Sequence, residues 1–200
     1  MSQVKISGNA SGTGVLTIAA PNTNTDRTIN IPDSTGTILD TGNTTFFGAD
    51  QWRLTANITA SGGTFNYDLT SNLERVDSTG AGYLGTGMTE SSGIFTFPNT
   101  GIWLIQFAGR GNIQRADNVG FHIQRTTDNS SYDTVAYGDA CGDDSVLGTG
   151  GATAFFIFDV TDVSTHKVKF RIESFNDGSV LMGDSSETRT GMLFQRLGDT

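Results

Sequence analysis

The chain has 200 residues, a formal net charge of −9 at pH 7 and 16% charged residues, with 26 glycines. This length suits one β domain with a short additional segment, and the many Gly, Ser, Thr and Asn residues favour strands and turns over helices. The 12 Lys and Arg residues are too few and too scattered to neutralise phosphates, which argues against nucleic acid as a partner.

Cys141 is the single cysteine, so no disulfide can form within the chain. No histidine stands next to it in sequence to activate the thiol, and we interpret it as an ordinary loop or core residue. The first residues lack the pattern of a secretory signal, and no apolar run is long enough to cross a bilayer. We therefore expect synthesis in a cytoplasm, without membrane insertion.

Residues 1–46 have the character of an N-terminal β-linker made of short strands and turns. Leu16 and Ile18 alternate on one predicted strand, and Ile29 and Ile31 alternate on another. These few aliphatic side chains cannot offset the entropy of ordering the backbone. The segment is therefore expected to pack against the following domain or against copies of itself about a symmetry axis.

The clearest pattern in this linker covers residues 20–37. It reads Ala-Pro-Asn-Thr-Asn-Thr-Asp-Arg-Thr-Ile-Asn-Ile-Pro-Asp-Ser-Thr-Gly-Thr. The pattern resembles a segment found just before the terminal domain in tail fibres and other appendage proteins of bacterial viruses. The resemblance implies a virion protein, assembled in the host cytoplasm, that contacts other virion proteins through residues 1–46. The alternative interpretation is a generic Thr- and Asn-rich β-linker.

Residues 47–200 are predicted to form one antiparallel sandwich. Val168, Phe170 and Ile172 alternate with charged residues and mark the clearest half-buried strand. Other short strands are predicted within residues 52–58, 73–77, 119–124 and 191–197. Regular short strands separated by turn signals predict an all-β fold, an antiparallel two-sheet jelly roll.

The most informative stretch of this domain is residues 93–107, in which Phe95 and Phe97 precede a Pro-Asn-Thr-Gly turn. Trp103, Ile105 and Phe107 share one face after the turn, so the stretch predicts a hairpin of the sandwich core. It resembles the Phe-x-x-Pro-x-x-Gly-x-Tyr signature of the globular-head family shared by complement and tumour necrosis factor, with Trp103 in place of the usual Tyr. The resemblance implies a jelly roll that assembles as a homotrimer and functions by binding.

Residues 154–158 form a predicted strand that is apolar on both faces. One face of such a strand can enter the core, which leaves the other for a subunit partner. The predicted trimer interface consists of four of its residues, Phe155, Phe156, Ile157 and Phe158.

Two sets of loop residues are candidates for ligand binding. Carboxylates on glycine-containing loops are suitable calcium ligands, and the candidates are Asp139, Asp143, Asp144 and Asp184; the alternative is solvated acidic loops, and no other cofactor is predicted. Aromatic and polar side chains on loops suit a sugar ring, and the candidates for contact with a host-surface glycan are Asn129, Tyr132, Asp133 and Tyr137. These residues are also ordinary turn formers.

The sequence as a whole predicts a structural virion protein of a tailed phage, a trimeric fibre or appendage tip for host attachment. One alternative is a capsid or tail decoration protein with a purely architectural role, which the shortness of the N-terminal segment favours. A glycan-active enzyme ranks lower, because no nucleophile elbow or organised catalytic set occurs and His122 and His166 are far apart in sequence. We therefore predict no catalytic residues.

Overall fold

The computed structural model describes residues 11, 13, 24, 26, 48–63, 65–114, 118–142 and 148–200. The chain divides into two compact units, Met1–Ile38 and Leu39–Thr200. The strands predicted for the linker, and the predicted boundary between residues 46 and 47, lie outside the described residues. The architecture below is that of the second unit.

The second unit is built from short and medium strands connected by turns. In chain order they are β1 (Gly48–Leu54), β2 (Ile58–Thr59), β3 (Phe65–Asp68), β4 (Leu73–Arg75), β5 (Thr89–Ser91), β6 (Ile94–Thr96), β7 (Gly101–Ile113), β8 (Asn118–Thr126), β9 (Asp133–Cys141), β10 (Gly148–Val160), β11 (Lys167–Phe175), β12 (Val180–Leu181) and β13 (Gly191–Gly198). The described part of the chain contains no helix, and therefore none that could span a membrane.

The strands form two antiparallel sheets. In the first sheet the order is β10-β7-β13-β1-β4. Near the C-terminal end of β7 the short strand β12 also pairs with β7, and β2 pairs with β12. In the second sheet the order is β5-β6-β11-β8-β9, with β3 also paired to β11. The prediction of an all-β, two-sheet sandwich is confirmed. Strands β9 and β10 form neighbouring edges of the two sheets.

The core lies between the sheets and is rich in aromatic side chains. Strand β7 contributes Trp103, Ile105 and Phe107, and β11 contributes its alternating apolar residues, all of them buried. The rings of Phe107 and Phe170 lie 4.9 Å apart between centroids, which joins the two sheets at their centre. Such contacts add to the free energy that apolar burial itself supplies.

The prediction of a hairpin over residues 93–107 is wrong. Strand β6 pairs with β5 and β11 in the second sheet, whereas β7 pairs with β10, β12 and β13 in the first. The turn carries the chain from one layer to the other, and Phe97 and Trp103 then meet across the core at 5.3 Å between ring centroids. Alternation marks which side chains are buried, and it does not specify which sheet a strand joins.

Candidate functional site

The residues predicted to contact a glycan lie on and around strand β9, but the structure gives them different environments. Asn129 is in the turn before β9, has a positive φ of 58°, and donates its backbone N–H to the carbonyl of Thr165 at 3.1 Å. Asp133 is 3.3 Å from Arg125 in an exposed ion pair. Asn129 is thus a turn residue, as residues of its type commonly are, and Asp133 forms a cross-strand pair at the start of β9.

Tyr132 belongs to the body of the protein and is not a free aromatic surface. The ammonium group of Lys169 lies 4.8 Å from the centre of its ring, a cation–π contact. Its hydroxyl is buried and has no hydrogen-bond partner among the described residues. Burial raises the pKa of Tyr132, and the nearby charge of Asp128 adds to the effect.

Tyr137 is the one predicted glycan contact that presents a ring to solvent, with 62% of the residue exposed. It pairs with His122 across β8 and β9, and the two rings stack at 5.1 Å with 14° between their planes. Tyr137 also borders a cleft of about 340 Å³ between β9 and β10, whose opposite wall includes Phe155. Stacking on His122 fixes the orientation of the tyrosine ring on β9, the edge strand of the second sheet.

Gly120 lies beside this stack on β8. In the strand register Gly120 stands between Glu173 of β11 and Asp139 of β9. A Cβ atom at this position would lie 2.4 Å from His122 Nε2 and 3.2 Å from Asp139 Oδ1, so glycine leaves room for the imidazole of His122, which lies over it. His122 Nε2 is 3.8 Å from Glu173 Oε2. We call Tyr137, His122, Gly120, Asp139 and Glu173 the Tyr137 site.

The charged residues on this face of the second sheet largely neutralise one another. Asp68 accepts hydrogen bonds from Lys169 Nζ at 2.8 Å and from Arg171 Nη1 at 2.9 Å, and Arg171 Nε donates to Glu173 at 2.9 Å. Partial burial acts to raise the pKa of Asp68, but the two basic side chains outweigh it and hold that pKa below its ordinary value. The face is therefore rich in hydrogen-bonding groups and carries little net charge.

Two further polar atoms on this face are left without partners. Gln124 is buried and its Nε2 donates to Thr134 Oγ1 at 3.1 Å, but its Oε1 has no partner among the described residues. The Nδ1 atom of His122 is likewise unpartnered within the described ranges. Buried polar atoms are normally hydrogen-bonded, so these two unpartnered atoms are exceptions, although they are enclosed and have almost no accessible surface. The pairing of His122 with Tyr137 depends on the strand register and was not predictable from the sequence of β8.

The residues predicted to bind calcium are only partly described. Asp143 and Asp144 lie outside the described residues, Asp139 is on β9 of the second sheet, and Asp184 follows β12 of the first. The carboxylate of Asp184 accepts hydrogen bonds from the hydroxyl and the backbone N–H of Ser186, at 2.6 and 2.8 Å, which lower its pKa. In the described ranges no group of three or more His, Cys, Asp or Glu residues could hold a metal ion. Calcium binding stays a prediction.

The four residues predicted for the trimer interface divide between the two faces of β10. Phe155 and Ile157 are 67% and 57% exposed on the outer face of the first sheet, whereas Phe158 is buried in the core and Phe156 packs against it. Leu104 of β7 pairs with Ile157 in the strand register. Leu193 of β13 and Phe155 both pair with Gln106 of β7, from opposite sides. We call Phe155, Ile157, Leu104 and Leu193 the assembly surface.

Comparison with solved structures shows that the fold is a jelly roll of the tumour necrosis factor type. Murine APRIL at pH 5.0 is 11% identical, with a TM-score of 0.53 over 76% of this chain and 99% of that one. Eiger TNF from S. frugiperda is 13% identical, with a TM-score of 0.53 over 77% of this chain and 94% of that one. At these identities the likeness concerns the fold alone. No protein-family model matches the sequence, and no curated protein matches it significantly.

Proposed function

We propose that this chain is an appendage protein of a tailed bacterial virus, whose jelly-roll unit assembles as a homotrimer and adheres to a glycan on the host surface. The observation that carries the proposal is the assembly surface, with Phe155 and Ile157 largely exposed on an otherwise well-packed sandwich. The resemblance of residues 93–107 to the globular-head signature supports a trimer. The resemblance of residues 20–37 to phage appendage sequences supports the virion.

A subunit contact at this surface is favourable because of the apolar area it would remove from water. Burying one Phe or Ile side chain contributes roughly 1.5–3 kcal/mol. Exposed apolar patches on soluble proteins commonly mark interaction sites. Leu104 and Leu193 are already half-buried beside the two exposed residues, so a partner subunit could cover a continuous apolar area.

Trimeric assembly also supplies the mechanism of adhesion. Three identical binding sites held around one axis convert weak contacts into avidity without any additional contact in each site. Adhesion therefore needs only a weak glycan site on each subunit.

Light scattering tests the assembly directly. The wild-type protein is expected to have the mass of three chains at micromolar concentration, and the double variant F155S/I157S is expected to have the mass of one. The matched control is L84S, because Leu84 is 54% exposed in the connection between β4 and β5, away from β10. A wild-type monomer at micromolar concentration would overturn the trimer.

A second experiment separates adhesion from an architectural role. Fluorescently labelled wild-type protein is expected to adsorb to cells of the bacterium that the virus infects, and F155S/I157S is expected to adsorb much less because avidity is lost. If antibodies against the protein label virus particles in immunogold microscopy but the trimer does not adsorb to cells, the protein is a decoration protein instead. Release of soluble saccharide from the host polysaccharide would indicate an enzyme.

A further inference from the structure

We infer that the Tyr137 site, on the outer face of the second sheet, binds a neutral sugar ring. The inference rests on the adhesive function proposed above and assigns that function to a particular surface. It replaces a site at the β8–β9 turn with a site on the sheet itself, because Asn129 is bonded to Thr165 of the β10–β11 connection and Asp133 is paired with Arg125 of β8.

Tyr137 supplies the platform. Its ring is 62% exposed, and stacking on His122 at 5.1 Å fixes its orientation. A ring that is already held in place loses little conformational entropy when a ligand packs on it. The C–H groups on one face of a pyranose are apolar and match the face of an aromatic ring.

Two carboxylates beside the stack supply hydrogen-bond acceptors for the hydroxyl groups of the sugar. Asp139 and Glu173 lie on either side of Gly120 in the strand register, and the imidazole of His122 lies over Gly120. Carboxylates accept hydrogen bonds from hydroxyl donors.

The charges of this face select a neutral ligand. The charges of Asp68 and Glu173 are offset by those of Lys169 and Arg171, to which they are hydrogen-bonded. Asp139 remains as an unbalanced negative charge opposite Gly120, because no ion pair among the described residues includes it. A sugar that carries a carboxylate would be repelled there, and one that carries only hydroxyl groups would not.

The test uses ligand-observed saturation-transfer NMR on the full chain. The probes are the methyl glycosides of glucose, galactose and mannose, with galacturonic acid as the anionic probe. At least one neutral glycoside is expected to bind, and Y137A is expected to weaken it by at least about tenfold, a loss of roughly 1.4 kcal/mol. Y137F is the matched control and is expected to bind like the wild type, because it keeps the ring. G120A displaces the imidazole of His122 on which Tyr137 stacks, and it is expected to weaken binding as well.

Three results would overturn the inference. The first is that none of the neutral glycosides binds, the second that Y137A binds like the wild type, and the third that galacturonic acid binds as well as the neutral probes. Light scattering on the same variants separates this failure from failure of the proposed assembly. If Y137A dissociates the trimer, Tyr137 belongs to the subunit interface and the proposed sugar site is refuted. If the wild-type protein is a monomer that binds sugar through Tyr137, the sugar site is supported and only the proposed trimer is refuted.

Discussion

The carboxylate of Asp50 accepts two hydrogen bonds from the guanidinium group of Arg75, at 2.9 and 3.1 Å, although Asp50 is only 2% exposed. The same carboxylate accepts hydrogen bonds from Trp52 Nε1 at 2.9 Å and from the backbone N–H of Met88 at 2.7 Å. The hydrogen bond to Asp50 is the main cause that raises the pKa of Arg75. One buried carboxylate therefore connects β1 and β4 to the loop before β5.

Replacement of Asp50 by Ala is expected to lower the free energy of unfolding by about 3–5 kcal/mol, because it leaves several donors without an acceptor. Chemical denaturation at a fixed protein concentration measures the change. The control is D133A, which removes a carboxylate that is 70% exposed and paired with the partly exposed Arg125. Its expected cost is below about 1 kcal/mol. Equal effects of the two substitutions would show that the Asp50 contacts do not contribute as proposed.

Trp103→Ala is expected to cost about 3–5 kcal/mol, because it opens a cavity in the core. Trp103 is 2% exposed, packs against Phe97 and donates from Nε1 to the carbonyl of Asn99 at 3.2 Å. The thermal midpoint of unfolding is the measurement, with L197A at a residue that is 47% exposed as the control. A midpoint that hardly moves for W103A would place Trp103 at the periphery of the core.

Gly109→Ala is expected to destabilise the protein by about 1–3 kcal/mol or more, because the core has no room for the added methyl group. A Cβ atom at Gly109 would lie 1.9 Å from Cδ1 of Phe121. Gly82→Ala is the matched control, since a Cβ atom there meets nothing within 4 Å, and it is expected to change stability by less than about 0.5 kcal/mol. Urea denaturation of both variants gives the comparison, and equal midpoints would contradict the close packing of β7 on β8.

Asp68→Asn is expected to destabilise the protein at neutral pH and to have a diminishing effect in acid. The pKa of Asp68 in the folded protein is below its ordinary value of 3.8, so its ion pairs contribute fully above that value and are lost as the pH falls through the lowered pKa. The difference in thermal midpoint between wild type and D68N should therefore be largest above about pH 5 and shrink toward about pH 2. The exposed Asp133 is the control, since D133N should have little effect at any pH. A difference that did not change with pH would exclude a charge effect at Asp68.

The sequence predicted much of the core but not the arrangement of its strands. Val168, Phe170 and Ile172 were predicted to be buried and are fully buried, because a two-residue period records which face of a strand is apolar. Arg53 stands between the apolar residues Trp52 and Leu54, a pattern typical of an outward-facing position. It is 1% exposed, because Glu74 and Asp77 of neighbouring segments satisfy its guanidinium group. Such pairing depends on tertiary structure that a local pattern does not contain.

The candidate binding site was predictable only in part, and for the same reason. Tyr137 was singled out as an aromatic residue near a turn, which is a local property. The contribution of His122, Gly120 and Glu173 depends on the register of β8 with β9 and β11. A glycine within a strand often marks the close approach of another group without identifying that group, and the structure shows that at Gly120 it is the imidazole of His122.

Strand β13 lies between β7 and β1 in the first sheet, although it follows all the other described strands in the chain. On the ribosome, β1 and β7 emerge earlier and have no strand to join them until residues 191–198 leave the exit tunnel. The jelly roll is therefore expected to close only after β13 has emerged, with its central backbone groups open to incorrect pairing until then. A premature stop codon or a stalled ribosome before residue 191 would leave a split sheet that quality-control proteases should remove.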